Sequence, residues 1–177
     1  MNLYLRLLFT LFKMWRVPRR AILEKSHLNL RVWLNDCDFN LHLNNGRYLT
    51  FMDLGRVHLL AQCGLFRGLW DKRWSPVLGA AEISYIRPLQ PMQRFDLVTR
   101  LVTWDEKYFY IEQRFEVAGK LHAQALVKGL FMGRGKKIDS AEVIALMGQP
   151  MDAPPMPPEI KTWNDLLNIK KRGLGLP

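Results

Sequence analysis

A polar run between residues 36 and 48 carries the side chains best suited to chemistry. Within it Asp38, Asn40 and His42 alternate along the chain. Side chains two residues apart in an extended segment point to the same side, so these three are expected to face one site. A carboxylate there could act as a general base on water or as a nucleophile, and an imidazole could share the proton transfer. The run therefore predicts an acid–base or nucleophilic site centred on Asp38.

Other interpretations of the run stay open. Asp, Asn and His are common in turns because they bond to nearby backbone, so the run could simply cap a helix. Cys37 and His42 could form a thiol nucleophile, although strand alternation turns Cys37 away from Asp38. No metal and no cofactor are expected, because no Cys/His spacing matches a zinc site and the other histidines are isolated: His27, His58 and His122.

The segments on either side must position this run. Residues 28–34 alternate apolar and polar and predict a half-buried strand. Residues 47–64 are apolar on nearly every side, which predicts a buried helix capped by Asn44 or Asn45 and ended by Gly64. The start of that helix would offer free N–H groups and a positive dipole to a developing oxyanion.

The remainder of the chain predicts a sheet and a tail. Four alternating segments without a helix between them predict antiparallel strands, and a tail helix is expected at residues 159–171. The fold class is therefore α+β, a long central helix wrapped by a curved antiparallel sheet whose open edge a second subunit would cover. The four segments are residues 77–86, 95–104, 108–117 and 121–132, preceded by a short helical piece at 65–73 and followed by a short helix from Asp139 to Met147.

Composition limits the class of protein. The chain has 177 residues, 49% of them hydrophobic, and a net charge of +10, which is typical of a globular domain with a basic surface. The basic residues are dispersed and match no nucleic-acid-binding motif, so no nucleic acid partner is expected. Two cysteines, Cys37 and Cys63, and no secretory signal indicate a reducing, cytoplasmic location.

Three parts are expected along the chain: a basic amphipathic helix at 1–25, a domain at 26–148, and a Pro-rich linker with a tail helix at 149–177. The first 20 residues mix Leu, Phe and Trp with Lys and Arg. They are too short and too charged to span a bilayer. Such a helix suits a membrane interface, or packing on the protein itself or across a dimer contact.

The run from Asp36 to Tyr48 resembles the signature of hotdog-fold acyl thioesterases of the 4-hydroxybenzoyl-CoA thioesterase type. It reads Asp-Cys-Asp-Phe-Asn-Leu-His-Leu-Asn-Asn-Gly-Arg-Tyr. Its Asp-x-Asn-x-His-x-Asn-Asn part also resembles plant acyl-ACP thioesterases. The likeness extends over about residues 28–160 and is greatest to the thioesterase superfamily member 6-like proteins. Hydratases of the same fold place a Pro before a His five positions after the Asp. Here His42 follows Asp38 by four, without Pro, which argues against hydration.

The resemblance implies a hotdog fold, a homodimer or homotetramer, and hydrolysis of acyl-CoA or acyl-ACP. Asp38 matches the catalytic acid, and Asn40 and His42 match the Asn and His of the plant enzymes. Asn45 and Tyr48 match positions that hold the turn or line the acyl pocket. The alternative is a hotdog protein that binds acyl chains at a membrane without turnover, with residues 1–20 in contact with lipid.

Two further assignments concern substrate binding. Backbone N–H groups at the start of the helix, or between Ser75 and Gly79, would hold the oxyanion. Arg87, Arg94 and Lys128 are expected to meet the phosphates of CoA on the basis of their charge alone.

Overall fold

The structure is a computed structural model that describes residues 18–148 and 151–175. It contains a short 3-10 turn at Leu34–Asp36 between the first strand and the first helix. The strands are β1 (Ser26–Arg31), β2 (Trp74–Tyr85), β3 (Arg94–Trp104), β4 (Phe109–Val117), β5 (Lys120–Gly133) and β6 (Lys136–Ile138). The helices are α1 (Asn45–Gln62), α2 (Leu65–Lys72), α3 (Ser140–Ala145) and α4 (Pro158–Gly173).

The strands form one antiparallel sheet in the order β1-β3-β4-β5-β2, and the short β6 adds to β5. Three register shifts interrupt the ladders, one of them between Leu78 and Ala80 in β2. Such bulges increase twist, which helps the sheet to curve around a helix. This arrangement confirms the predicted fold class, an α+β architecture with a long helix and an antiparallel sheet.

The core lies between α1 and the inner face of the sheet. Phe51 and Met52 of α1 are fully buried against Phe95 and Phe115 of the sheet. The Phe51 and Phe95 rings meet edge to face with centroids 5.2 Å apart. Burying each side chain of this size contributes about 1.5–3 kcal/mol, so this contact fixes the position of α1 on the sheet. The start of α1, and with it the polar run, is held in place as a consequence.

The buried helix predicted at residues 47–64 is α1, and its predicted ends differ from the observed ones by two residues. Asn44 is its N-cap, with its side-chain oxygen accepting from the Gly46 N–H at 2.9 Å. Gly64 follows its end with φ of +69°, a left-handed conformation that glycine adopts without a steric penalty.

The predicted first strand was wrong at its end. It runs to Arg31 instead of residue 34, because the Asp36 carboxylate accepts from the Trp33 N–H at 2.8 Å and folds the chain into the 3-10 turn. Residues 18–25 were expected to be helical but form loop and turn. The Arg20 N–H donates to the Gln62 carbonyl at 2.9 Å and the Glu24 N–H to the Ala21 carbonyl at 3.0 Å, so this segment bonds to the end of α1 and turns instead of forming a helix. Residues 1–17 of the predicted N-terminal helix lie outside the described residues.

The tail helix was predicted and packs on the outer face of the sheet. Ile160 and Trp163 of α4 are buried against Tyr110 of β4. The extended segment before α4 is tied down as well, since the Thr103 hydroxyl donates to the Pro154 carbonyl at 2.6 Å. The tail therefore belongs to the packed body of the domain.

One edge of the sheet remains uncovered in a single chain. Every residue of β2 is exposed or half-buried, including the apolar Val77 and Leu78. Leu49, on the outward side of α1, is exposed too. Among the described residues, no helix is both long enough and apolar enough to span a bilayer.

Candidate active site

The polar run folds into a tight turn at the start of α1. Cys37 and Leu43 pair as an antiparallel bridge, and the Asp38 N–H donates to the His42 carbonyl at 2.9 Å. The Leu41 N–H donates to the Asp38 carbonyl at 3.1 Å. These bonds close a small loop whose tip projects from the domain, with Phe39 fully exposed.

The expectation that Asp38, Asn40 and His42 lie in extended geometry was therefore wrong. Leu41 has φ of +57°, a left-handed conformation that reverses the chain between Asn40 and His42. The loop closes because the backbone groups of Asp38 bond across it. The three side chains nevertheless line one pocket of about 370 Å³, brought there by the turn and not by strand alternation.

The Asp38 side chain is held by its own turn. One carboxylate oxygen, Oδ1, accepts from the Asn40 N–H at 2.9 Å, an Asx-type contact. The bond engages one of the two carboxylate oxygens. In the part of the chain that the structure describes, no hydrogen bond joins the His42 imidazole to this carboxylate. His42 is thus free of a fixed pairing with Asp38 and available to a ligand in the pocket.

The first turn of α1 forms the floor of the pocket through Asn45 and Tyr48. The N–H groups of Gly46 and Arg47 already donate to Asn44, through its side-chain oxygen and its carbonyl respectively. Burial raises the pKa of the Tyr48 phenol to about 12, against a hydrogen bond from the Leu89 backbone that lowers it. Tyr48 is therefore neutral at physiological pH and contributes shape and a weak polar contact.

The segment after β2 forms the opposite wall. Arg87 lines the pocket, while its guanidinium Nη1 donates to the Leu121 carbonyl at 2.6 Å. Tyr85 also lines it, with its ring edge to face with Tyr48 at 5.0 Å and its hydroxyl 3.4 Å from the Asn45 carbonyl. Tyr85, Ile86 and Pro88 also line the pocket, and the sequence did not predict them. The only available signal was an aromatic residue at a strand end beside Arg87, which is too common to single out.

Ser75 and Gly79, predicted to bind substrate, do not line this pocket. They lie toward the opposite end of β2, more than half the strand away from Tyr85. Gly79 sits at the β2 bulge, where an added Cβ would lie 3.2 Å from the Lys128 carbonyl. Its immediate role in one chain is therefore this close backbone approach.

An apolar cavity lies beside Ser75 and Gly79. It has a volume of about 160 Å³ and lies between α1 and β2, with Asp53 and Arg56 as its charged members. Arg56 donates to Gln113 at 2.9 Å and pairs with Asp53. Its apolar lining includes Val57, Leu60, Val77, Leu78, Leu130 and Phe131.

The thiol interpretation of Cys37 finds little physical support. Burial raises the pKa of the Cys37 thiol, and the neighbouring Asp36 and Asp38 carboxylates raise it further. Because the thiolate is the nucleophile, each of these effects reduces the reactive form. Cys37 and Cys63 are both free, and burial raises the pKa of Cys63 to about 11.

Comparison with known proteins places this geometry in a family context. A family model described as the thioesterase-like superfamily matches residues 32–164. Protein THEM6 of Xenopus laevis is 31% identical over 173 residues, covering 88% of this chain and 82% of that protein. Protein THEM6 of Danio rerio is 43% identical over 98 residues, covering 55% of this chain and 48%, about half, of that protein's length. A solved gentisyl-coenzyme A thioesterase has a TM-score of 0.60 and 22% identity, covering 70% of this chain and 100% of its own, a likeness that shows the fold.

Proposed function

The chain belongs to the thioesterase-like superfamily of hotdog-fold thioester hydrolases, and from that premise we propose that it cleaves acyl-CoA or acyl-ACP with Asp38 at the reaction centre. The observation that carries the proposal is the pocket in which Asp38, Asn40 and His42 meet the first turn of α1. The carboxylate, imidazole and helix N terminus supply the base, the acid and the oxyanion donor that acyl transfer requires.

In the proposed reaction the Asp38 carboxylate activates a water molecule or attacks the thioester carbonyl itself. The carbonyl oxygen gains negative charge and accepts a hydrogen bond from the Asn45 N–H, because Asn44 already occupies the next two donors. The carbon–sulfur bond then breaks, and His42 passes to the leaving thiolate the proton that Asp38 took from water. If Asp38 itself attacks, water supplies that proton when it hydrolyses the acyl anhydride on Asp38. Water supplies the oxygen of the free acid and the proton of the thiol. Asn40 orients the attacked group.

A second copy of the chain would complete the site. The uncovered β2 edge suits antiparallel pairing with its own copy around a twofold axis. In such a pair the start of one β2 lies opposite the end of the other. Ser75 of the second copy would then lie toward Tyr85 of the first, with Gly79 nearer the twofold axis. The apolar cavity beside them would cover an acyl chain leaving the Asp38 pocket. This arrangement supports a homodimer and the substrate-binding assignment of Ser75 and Gly79.

The proposal that coenzyme A is the acyl carrier rests on the substrate of a structural neighbour. The structural neighbour named above acts on a coenzyme A thioester. Arg87 stands at the wall of the pocket, and its cation suits a phosphate of the carrier.

A cytoplasmic location and lipid contact through residues 1–20 stay predictions. Flotation of the protein with liposomes, before and after deletion of those residues, tests the lipid contact.

Thiol release from a panel of acyl-CoA and acyl-ACP chain lengths tests the activity. The wild type is expected to cleave at least one member. Asp38→Asn is expected to lower kcat on it about a hundredfold or more, since it removes the base without a change in size. Asp71→Asn, at an exposed position of α2, is the matched control and should keep full activity. Equal rates for wild type and Asp38→Asn would remove Asp38 from the mechanism. If the wild type binds acyl thioesters of the panel but cleaves none of them, the acyl-binding alternative is favoured.

A further inference from the structure

A cluster of cations lies on the outer face of the sheet, away from the Asp38 pocket. Tyr108 is at its centre, just before β4. The Lys128 ammonium of β5 lies 4.2 Å from the centroid of the Tyr108 ring. Lys137 of β6 donates to the Tyr108 hydroxyl at 2.8 Å. Lys171 of α4 is near enough to act electrostatically on both Tyr108 and Lys128.

The cluster carries more positive charge than its neighbourhood offsets. The carboxylate that acts on Lys128 is that of Asp105. It is already engaged, because Oδ1 accepts from the N–H groups of Lys107 and Tyr108, and Oδ2 accepts from the Tyr110 hydroxyl at 2.7 Å. Lys128 therefore lies near a carboxylate whose hydrogen-bonding capacity is largely used, while the charges of Lys137 and Lys171 also act on Lys128.

Holding these groups together costs free energy in the absence of an anion. Burial lowers the pKa of Lys128, and the charges of Lys171 and Lys137 lower it further, against the raising effect of Tyr108 and Asp105. The hydrogen bond from Lys137 lowers the pKa of the Tyr108 phenol, as do the charges of Lys137, Lys171 and Lys128. The lowered pKa of Tyr108, which burial alone would raise, reflects the positive charge around the phenol oxygen, whereas the pKa of Lys128 is lowered chiefly by burial. A bound anion would reverse this cost.

The ammonium groups are also held in place. Lys128 donates to the Asn164 side-chain oxygen of α4 at 2.7 Å, and Asn164 in turn donates to the Tyr110 hydroxyl at 2.8 Å. A cation fixed by a neighbouring helix loses less side-chain entropy when a ligand arrives. Lys137 is exposed, so the cluster is open to solvent on that side.

We propose that Lys128, Lys137, Lys171 and Tyr108 form a binding site for a phosphate-bearing ligand, a phosphate monoester or diphosphate. Such a group carries enough negative charge to offset several ammonium groups and enough oxygens to accept from each. Within one chain the site is separate from the Asp38 pocket, since Tyr108 packs beside Gly79 on the outer face of the sheet, whereas Asp38 lies at the start of α1. In the proposed homodimer a carrier would reach it from the pocket of the second copy. Its ligand is either the phosphates of a coenzyme A carrier or a phospholipid headgroup.

Isothermal titration calorimetry of the full chain with inorganic pyrophosphate tests the site. Lys137→Gln is expected to weaken binding about tenfold, because a charge-assisted contact is lost. Lys120→Gln removes the same charge from the exposed first residue of β5 and serves as the matched control. Lys128→Met, which keeps the length of the side chain, should weaken binding similarly. The proposal is overturned if the wild type does not bind pyrophosphate, or if Lys137→Gln and Lys120→Gln bind it equally.

Two further measurements identify the source of the phosphate. If the ligand is the carrier, Lys137→Gln raises KM for acyl-CoA but not for the matching acyl-pantetheine, which lacks the nucleotide and all of the phosphates of coenzyme A. If it is lipid, Lys137→Gln reduces sedimentation with phosphatidylcholine vesicles containing phosphatidic acid, and KM is unchanged. A variant with both responses unchanged would contradict the proposal. The carrier arm rests on the proposed thioesterase function, whereas pyrophosphate binding does not, so the two can fail separately.

Discussion

Gly55 is the point at which α1 lies closest to the sheet, and its replacement by alanine is a sensitive test of the packing that holds the active-site turn. A Cβ at this position would lie 2.6 Å from Thr99 Oγ1, 2.8 Å from Gln113 Nε2 and 2.8 Å from a Leu97 methyl. Real Cβ atoms do not approach other atoms so closely, so either α1 or these side chains must move.

The neighbours of Gly55 have little freedom to move. Thr99 and Gln113 are fully buried, and Gln113 Nε2 donates at 3.0 Å both to the Met52 carbonyl and to the Thr99 hydroxyl. Forcing a methyl into a packed core costs about 1–3 kcal/mol. Loss of a buried hydrogen bond adds about 1–3 kcal/mol, whereas the higher helix propensity of alanine returns only about 1 kcal/mol. The clash outweighs the propensity, and Gly55→Ala should lower the free energy of unfolding by about 2 kcal/mol or more.

Urea denaturation followed by circular dichroism measures this change. Gly68→Ala in α2 is the control, because its added methyl would meet only the flexible end of Leu146 at 3.2 Å. In Gly68→Ala the higher helix propensity of alanine should dominate, so the free energy of unfolding should be unchanged or raised by up to about 1 kcal/mol. If Gly55→Ala is as stable as the wild type, the close approach of α1 to the sheet described above is refuted.

Two further predictions concern the tail helix and a buried histidine. Tyr110→Phe removes the hydroxyl that donates to Asp105 and accepts from Asn164, so stability should fall by about 1–2 kcal/mol and amide exchange in α4 should accelerate; unchanged exchange there would contradict this. Burial holds the pKa of His58 below its ordinary 6.5, with Arg20 lowering it further, so the folded protein keeps it neutral where the unfolded chain takes up a proton. Stability should therefore fall as the pH drops below about 6.5, and His58→Gln should flatten that fall in urea titrations across this range; an equal slope in both proteins would exclude His58 as its source.

Much of the fold follows from local patterns in the sequence. Residues 47–64 were recognisable as a buried helix because their apolar side chains cover nearly every side, and the strands because they alternate. The ends of the helices and strands were harder to predict, since they depend on single contacts. One example is the hydrogen bond from the Trp33 N–H to Asp36 that ends β1 early. The three-residue strand β6 exists only through pairing with β5 and has no pattern of its own.

The sequence grouped three side chains of the candidate site on the basis of an extended backbone that the chain does not adopt. Asp38, Asn40 and His42 share a pocket because Leu41 adopts a positive φ, and leucine gives no sign of that conformation in a sequence. Tyr85 joins them only because the end of β2 is brought over the first turn of α1, a contact between residues far apart in the chain. Ser75 and Gly79 could not be assigned to one chain's pocket, since their proposed role depends on a second copy.

The central claim is that the Asp38 carboxylate acts at the thioester. The most direct test is a single-turnover measurement with enzyme in excess over the acyl thioester that the wild type cleaves fastest, because this isolates the chemical step from product release. Asp38→Asn should bind the substrate with similar affinity. Its rate of thiol release should be lower than that of the wild type by a factor of about a hundred or more. A chemical step in Asp38→Asn as fast as that of the wild type would contradict the account.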